Sequence, residues 1–274
     1  MQEIDAGLTT LLRRDRLTVA AALIVVTLLA WAYLLWLSAQ MAADGMADMP
    51  GMDMSAMAGA MAPSIRAWAP ADFAFMFAMW AVMMVGMMTP SVAPMLLLYA
   101  GVGRKAAESG TPFASTGWFF AGYLAVWTAF SALATVAQWA LTTLALLTPM
   151  MAASSATLGG IVLIAAGLYQ WTPLKETCLR SCQAPLAFLM AHGGFRDQPL
   201  GALRLGIAHG GYCLGCCFAL MALLFVGGIM NVLWIAGLTI LVLLEKIVPA
   251  GRLIPRISGA LIGGAGIWLL LQGG

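Results

Sequence analysis

Long apolar runs alternate with short polar breaks along the whole chain. A helix that crosses a bilayer needs about 20 mostly apolar residues. Seven stretches approach that length: 17–40, 72–100, 115–147, 155–172, 204–227, 231–246 and 256–272. The sixth is the shortest, a length that suits a tilted or protein-buried segment. The pattern predicts an all-α polytopic membrane bundle of seven transmembrane helices. In the last run, GALIGGAG (Gly259 to Gly266) spaces small residues four apart. Such spacing lets helix backbones approach closely.

The polar breaks orient the runs. Arg13, Arg14 and Arg16 precede the first run, and Arg104 and Lys105 follow the second. Lys175, Arg180, Arg196 and Arg204 lie between the fourth and fifth, and Lys246, Arg252 and Arg256 between the sixth and seventh. Cytoplasmic loops carry the excess of Lys and Arg. A cytoplasmic N-terminus puts all of these on one side and leaves only Arg66 on the other. The first run exceeds the roughly 7–15 apolar residues of a signal peptide and is expected to stay as an anchor. The expected division is 1–40 as N-terminus and anchor, 41–71 as an extracytoplasmic loop, and 72–274 as the multi-pass domain.

Composition narrows the function classes. The chain is 62% hydrophobic and 9% charged, against roughly 25% charged in soluble domains. The lipid bilayer is therefore its first partner. A net charge of +2 gives no basic field for nucleic acid. No GxxxxGK[ST] loop is present, and no soluble region is large enough to carry one. The apolar runs hold too few His, Asp and Glu for an acid–base constellation, which argues against an enzyme.

Sulfur is the exception to this chemical poverty. The chain has 20 Met and 5 Cys. The loop MAADGMADMPGMDMSAMAGAM carries Met46, Met49, Met52, Met54 and Met57 and has no helical or strand period. Methionine usually fills cores, and a polar loop has none to fill. Thioether sulfur is a soft ligand that selects Cu(I) and binds without releasing a proton. The loop reads as a metal-capture segment, or otherwise as a Met-rich linker at the bilayer surface. In the second run, Met76, Met79, Met83 and Met87 share one helix face, with Met84 and Met88 beside them. Pro90 and Pro94 interrupt the hydrogen-bond ladder there. This stripe is read both as packing and as a ligand row.

The fifth run contains HGGYCLGCC. At about 100° per residue, Cys213 stands about 40° from His209 around the helix, Cys216 about 20° to the other side, and Cys217 about 80° away. His209, Cys213, Cys216 and Cys217 form the principal metal candidate. Cys178 and Cys182, four apart near Lys175 and Arg180, form a second. Cations beside a thiol favour thiolate, and two thiolates suit a linear Cu(I) site. Thiolate, thioether and imidazole together fit Cu(I) first and Zn(II) second. Two histidines do not readily supply paired haem ligands, which disfavours haem. Glu245 and Lys246 read as a structural pair or lid at the end of the sixth run.

MWAVMMVGMMTPS, GLYQWTPLKETCLRSCQAP, GGYCLGCCFALM and LLEK, in this order over roughly residues 70 to 250, resemble a bacterial family of uncharacterised integral membrane proteins. That family is named as a domain of unknown function and described as predicted metal-binding. The resemblance implies a multi-pass protein of the bacterial inner membrane. It matches Met83, Met84, Met87, Met88, Pro90, Lys175, Cys178, Cys182, Cys213, Cys216, Cys217, Glu245 and Lys246 to the family pattern. Together these readings give a membrane copper-handling protein that transports or delivers Cu(I), with a metallochaperone or membrane complex as partner. Two other classes stay open: an assembly subunit of a larger complex, and a membrane thiol oxidoreductase.

Overall fold

The structure, a computed structural model, describes residues 2–47, 68–110, 114–148, 151–248 and 251–272, with backbone alone for 2–16, 42–47, 107 and 108. Regular structure among the described residues is helical, apart from one isolated bridge between Leu147 and Ala153. The helices are α1 (Gln2–Ala47), α2 (Pro70–Glu108), α3 (Thr116–Thr143), α4 (Ala156–Tyr169) and α5 (Pro173–Gln183). They continue as α6 (Pro185–Ala191), α7 (Pro199–Ala222), α8 (Leu224–Gly227), α9 (Val232–Ile247) and α10 (Leu253–Gln272).

Local chemistry sets several boundaries. The Ser155, Thr172 and Asn231 side chains accept from Leu158, Lys175 and Trp234 backbone N–H groups and so cap α4, α5 and α9. Such caps satisfy donors that a helix start leaves open. Pro173 opens α5 where its missing N–H costs nothing. Pro90 and Pro94 lie inside α2, which continues as one helix through both.

Five helical segments are long and apolar enough to cross a membrane: Leu17–Met41, Pro70–Ala106, Thr116–Thr143, Pro199–Gly227 and Leu253–Gln272. A sixth arises if α4 and α5 count as one span, bent by 65°. Against the seven full spans expected from the sequence, the described residues hold five helices of sufficient length and hydropathy, or six with the bent pair. The difference lies in α4 and α9. At 16 residues and 1.5 Å per residue, α9 is about 24 Å long, short of a roughly 30 Å hydrocarbon core. The apolar run continues beyond the 14 residues of α4, but the chain turns aside there.

Helix α2 is the axis of the bundle and packs against α1, α3, α6 and α9. Glycine makes the tightest joints. A Cβ on Gly206 would lie 2.0 Å from the Phe119 carbonyl oxygen, and one on Gly122 would lie 2.1 Å from that of Leu203. Backbone thus rests directly on backbone between α3 and α7, which fixes the depth of the thiols on α7. The GALIGGAG stripe does the same between α10 and α4, where a Cβ on Gly259 would meet the Gly167 carbonyl at 2.9 Å.

Gly206→Ala is expected to force α3 and α7 apart and destabilise the fold by about 1–3 kcal/mol or more, as overpacking does. A Cβ at Gly211 meets nothing within 4 Å, so Gly211→Ala is the matched control. Thermal unfolding in nanodiscs checks this: the melting temperature should fall by several degrees for the first variant only.

Candidate metal site

The methionine stripe of α2 lies in the core. Met79, Met83, Met84, Met87 and Met88 are all 0–1% exposed, and Met76, nearest the start of the helix, is half-buried. Thioether sulfur therefore runs along the axis of the bundle. At its inner end, the Tyr123 hydroxyl of α3 donates to the Met88 carbonyl at 3.1 Å and stands 3.1 Å from Cys213 Sγ. One phenol thus joins the methionine helix to the thiol helix.

Around Cys213 the structure gathers cysteines from two helices. Cys182, Cys216 and Cys217 are its sulfur neighbours. Cys216 and Cys217 donate back to the Cys213 carbonyl at 3.0 and 2.9 Å. Cys182 of α5 stands 4.0 Å from Cys216 of α7, sulfur to sulfur. Cys178 is buried and faces Gly215, where a Cβ would lie 2.7 Å from its sulfur. All five cysteines are free thiols.

The four-ligand set expected on α7 does not assemble. The His209 ring lies among Phe119, Tyr123 and Phe188, at centroid distances of 5.8, 6.1 and 4.9 Å. Its Nδ1 has no hydrogen-bond partner among the described residues. Among those residues no group of three or more His, Cys, Asp or Glu side chains could hold a metal ion. The sulfurs are neighbours, but the α7 thiols turn back on their own helix instead of converging. The Cys182–Cys216 contact brings sulfurs from two helices together.

Glu245 and Lys246, expected as a pair with each other, face separate partners. Glu245 takes the Lys175 ammonium at 2.6 Å, with both side chains almost fully buried. The Gln170 amide and the Ser258 hydroxyl also donate to it, at 3.0 and 3.2 Å. Lys246 reaches the other way, to Cys213 Sγ at 2.8 Å and Ser91 Oγ at 3.1 Å. The cation beside the thiols is therefore Lys246. Lys175 is held by Glu245, and Arg180 bridges to Glu176 on its own helix. The pattern LLEK held the signal, since ionisable residues at membrane depth are functional candidates. Sequence does not reveal that neighbours in the chain diverge into different networks.

A second polar centre was missed. Gln138 on α3 is 1% exposed. Its Oε1 accepts from Trp80 Nε1 at 2.7 Å, and its Nε2 lies 3.5 Å from Met76 Sδ and 3.2 Å from Met151 Sδ. A glutamine inside the apolar run TVAQWALTT was the available clue. Of the proposed capture residues, Met46 falls on the last turns of α1, where backbone alone is described. Met49, Met52, Met54 and Met57 lie outside the described residues.

A family model described as PpoB2, copper chaperone, matches residues 77–269, more than half of the chain. The chain belongs to this copper chaperone family. The matched region contains the α2 methionines from Met79 onward and every cysteine. The finding corrects the family expected from the sequence motifs, which is an uncharacterised one: this family is named, and its name states a function. No curated protein and no solved structure matches the chain. Membership, with the buried methionine and cysteine side chains, makes this a membrane copper-handling protein that works through soft sulfur side chains.

The Lys175–Glu245 pair is expected to stabilise this copper chaperone only as a pair. Breaking a buried ion pair strands a charge and costs about 3–5 kcal/mol, whereas replacing both partners is often neutral. Glu245→Gln should therefore lower the melting temperature strongly. Lys175→Met/Glu245→Gln, which keeps an acceptor for Gln170 and Ser258, should restore most of the loss.

Proposed function

We propose that this copper chaperone carries Cu(I) inside the bacterial inner membrane, from thioethers on α2 to thiols shared by α5 and α7. The observation that carries this reading is the Cys182–Cys216 pair. Metal–thiolate bonds of about 2.3 Å, measured for zinc, set two sulfurs about 4.0 Å apart when they subtend 120° at the ion. The two sulfurs already stand 4.0 Å apart on separate helices. A soft ion such as Cu(I) can be held by these two sulfurs, and Cys213 lies beside them. Cys217 and Cys178 line the same region, and Met83, Met84, Met87 and Met88 form the approach.

The sulfur types set a direction. Thioethers hold Cu(I) without charge, and thiolates hold it with charge, so transfer from α2 to α7 runs from weaker to stronger ligands. The same donor set leaves Zn(II) as the main competitor. The basic residues favour a cytoplasmic N-terminus, with the methionine loop at 41–71 on the opposite face and the multi-pass domain over 72–274. Delivery requires an acceptor, either a metallochaperone or a membrane complex.

Copper content of anaerobically purified protein, loaded with Cu(I) and washed with a competing chelator, tests the reading. Wild type should keep a tightly held copper that Cys182→Ser/Cys216→Ser loses, while the two proteins unfold at similar temperatures. Undiminished copper in the variant removes the pair from the site, and copper-free wild type sinks the carrier reading.

A further inference from the structure

We propose that Met76 and Met151, positioned by Gln138, form a separate Cu(I) entry site at the mouth of the methionine helix. This rests on the carrier reading above and adds the place where the ion first enters the bundle.

The geometry around Gln138 is the first argument. Trp80 Nε1 can only donate, so its 2.7 Å bond fixes the amide oxygen on that side. The amide nitrogen must then face the sulfurs of Met76 and Met151, at 3.5 and 3.2 Å. Among the described residues these thioethers are the only acceptors for its two N–H bonds. Thioether sulfur is a weak acceptor, and burying a poorly satisfied amide is costly. What the arrangement achieves is convergence. Lone pairs from two sulfurs, one on α2 and one on the loop between α3 and α4, are aimed at a single point carrying partial positive charge. A soft cation needs the same array.

The second argument is the backbone of Met151. Its φ is +57°, in the left-handed region where non-glycine residues are uncommon. Strain of this kind persists only where the surroundings enforce it, and it concentrates at functional sites. Here Met151 N donates to Thr148 O, and Thr148 N donates to Ala152 O, both at 2.8 Å. Glycine would adopt this turn without strain. Methionine at this position places a sulfur beside Gln138.

The third argument is position. Met76 and Met151 are half-buried, whereas Gln138 and Met79, one helical turn further along, are 0–1% exposed. The sulfur pair thus stands at the boundary between the outside of the bundle and the buried methionine row. The donors are neutral and soft, which suits Cu(I) and disfavours hard divalent ions. Gln138 is a positioning residue: its N–H bonds preset the two sulfurs, and the arriving ion takes the place of those bonds. Methionine side chains, with three rotatable bonds, close the remaining gap.

Anaerobic titration of the full chain in nanodiscs with Cu(I) alone, against a competing chelator, separates the sites. Wild type should show two classes of bound copper. Met76→Leu/Met151→Leu should lose one class and keep the cysteine-dependent one. Cys182→Ser/Cys216→Ser should keep the methionine class, with a copper X-ray absorption spectrum of thioether sulfur. If the methionine variant binds as much copper as tightly as wild type, the entry site is wrong and the carrier reading stands. If the cysteine variant binds none, the entry site is also wrong. If wild type binds none, both readings fall. Leucine nearly conserves methionine volume, and unchanged melting temperature confirms the fold. Should the double variant not fold, Met76→Leu and Met151→Leu are titrated singly: each should weaken the methionine class, and full wild-type binding in both overturns the entry site.

Discussion

A lysine ammonium inside an apolar bundle persists only where something answers its charge. This copper chaperone buries two, Lys175 and Lys246, and their partners govern the arrangement of its inner half. Glu245 holds the first and Cys213 receives the second. Both contacts pass through consecutive residues of α9, a helix short by the standard of a bilayer span. Its length matters less than its two ends of contact. One side chain ties it to Lys175 of α5, to Gln170 just after α4 and to Ser258 of α10, and the next ties it to α7 and α2. Helix α9 thereby links α5 to α7, which also pack directly against each other. In this arrangement the sulfurs of Cys182 and Cys216 stand 4.0 Å apart.

The methionine helix reaches the same point from the other direction. Its buried thioethers include Met88, whose carbonyl accepts from Tyr123, and Tyr123 touches Cys213. Two sulfur chemistries thus share one wall of the bundle. The glycine joint between α3 and α7 makes the contact possible. With Gly206 and Gly122 the backbones touch, and the phenol of α3 reaches sulfur on α7. Packing and ligand placement are one design here: the interface that is tightest is also the one that aligns donors.

Apolar run length and small-residue spacing made the helical class and the α4–α10 joint readable from sequence, because both depend on local spacing. The methionine face of α2 was readable for the same reason, since Met79, Met83 and Met87 recur with the helical period. What escaped was tertiary. The His209 ring shares a helical stripe with Cys213, but aromatic neighbours from α3 and α6 capture it. Glu245 and Lys246 are adjacent, and consecutive helix positions point about 100° apart, so each found its own partner. Nothing local in the sequence marks Met151, whose contact with Gln138 comes from a backbone turn and a side chain on another element. At α4 and α9 a full span could not be told from a shorter helix, because composition cannot say how a run bends or how much of it leaves the helix.

The burial gradient of sulfur along the bundle has a consequence for oxidative damage. Met76, Met151 and Cys182 are half-buried and Met190 is exposed, while the thiols of Cys213, Cys216 and Cys217 are 1–2% exposed. An oxidant arriving at the mouth meets thioether first. Thioether oxidation yields a sulfoxide that dedicated reductases reverse, whereas thiols oxidised past the sulfenic stage are generally lost. Damage to an accessible methionine is therefore repairable, and burial protects the thiols of Cys213, Cys216 and Cys217 more fully than that of Cys182.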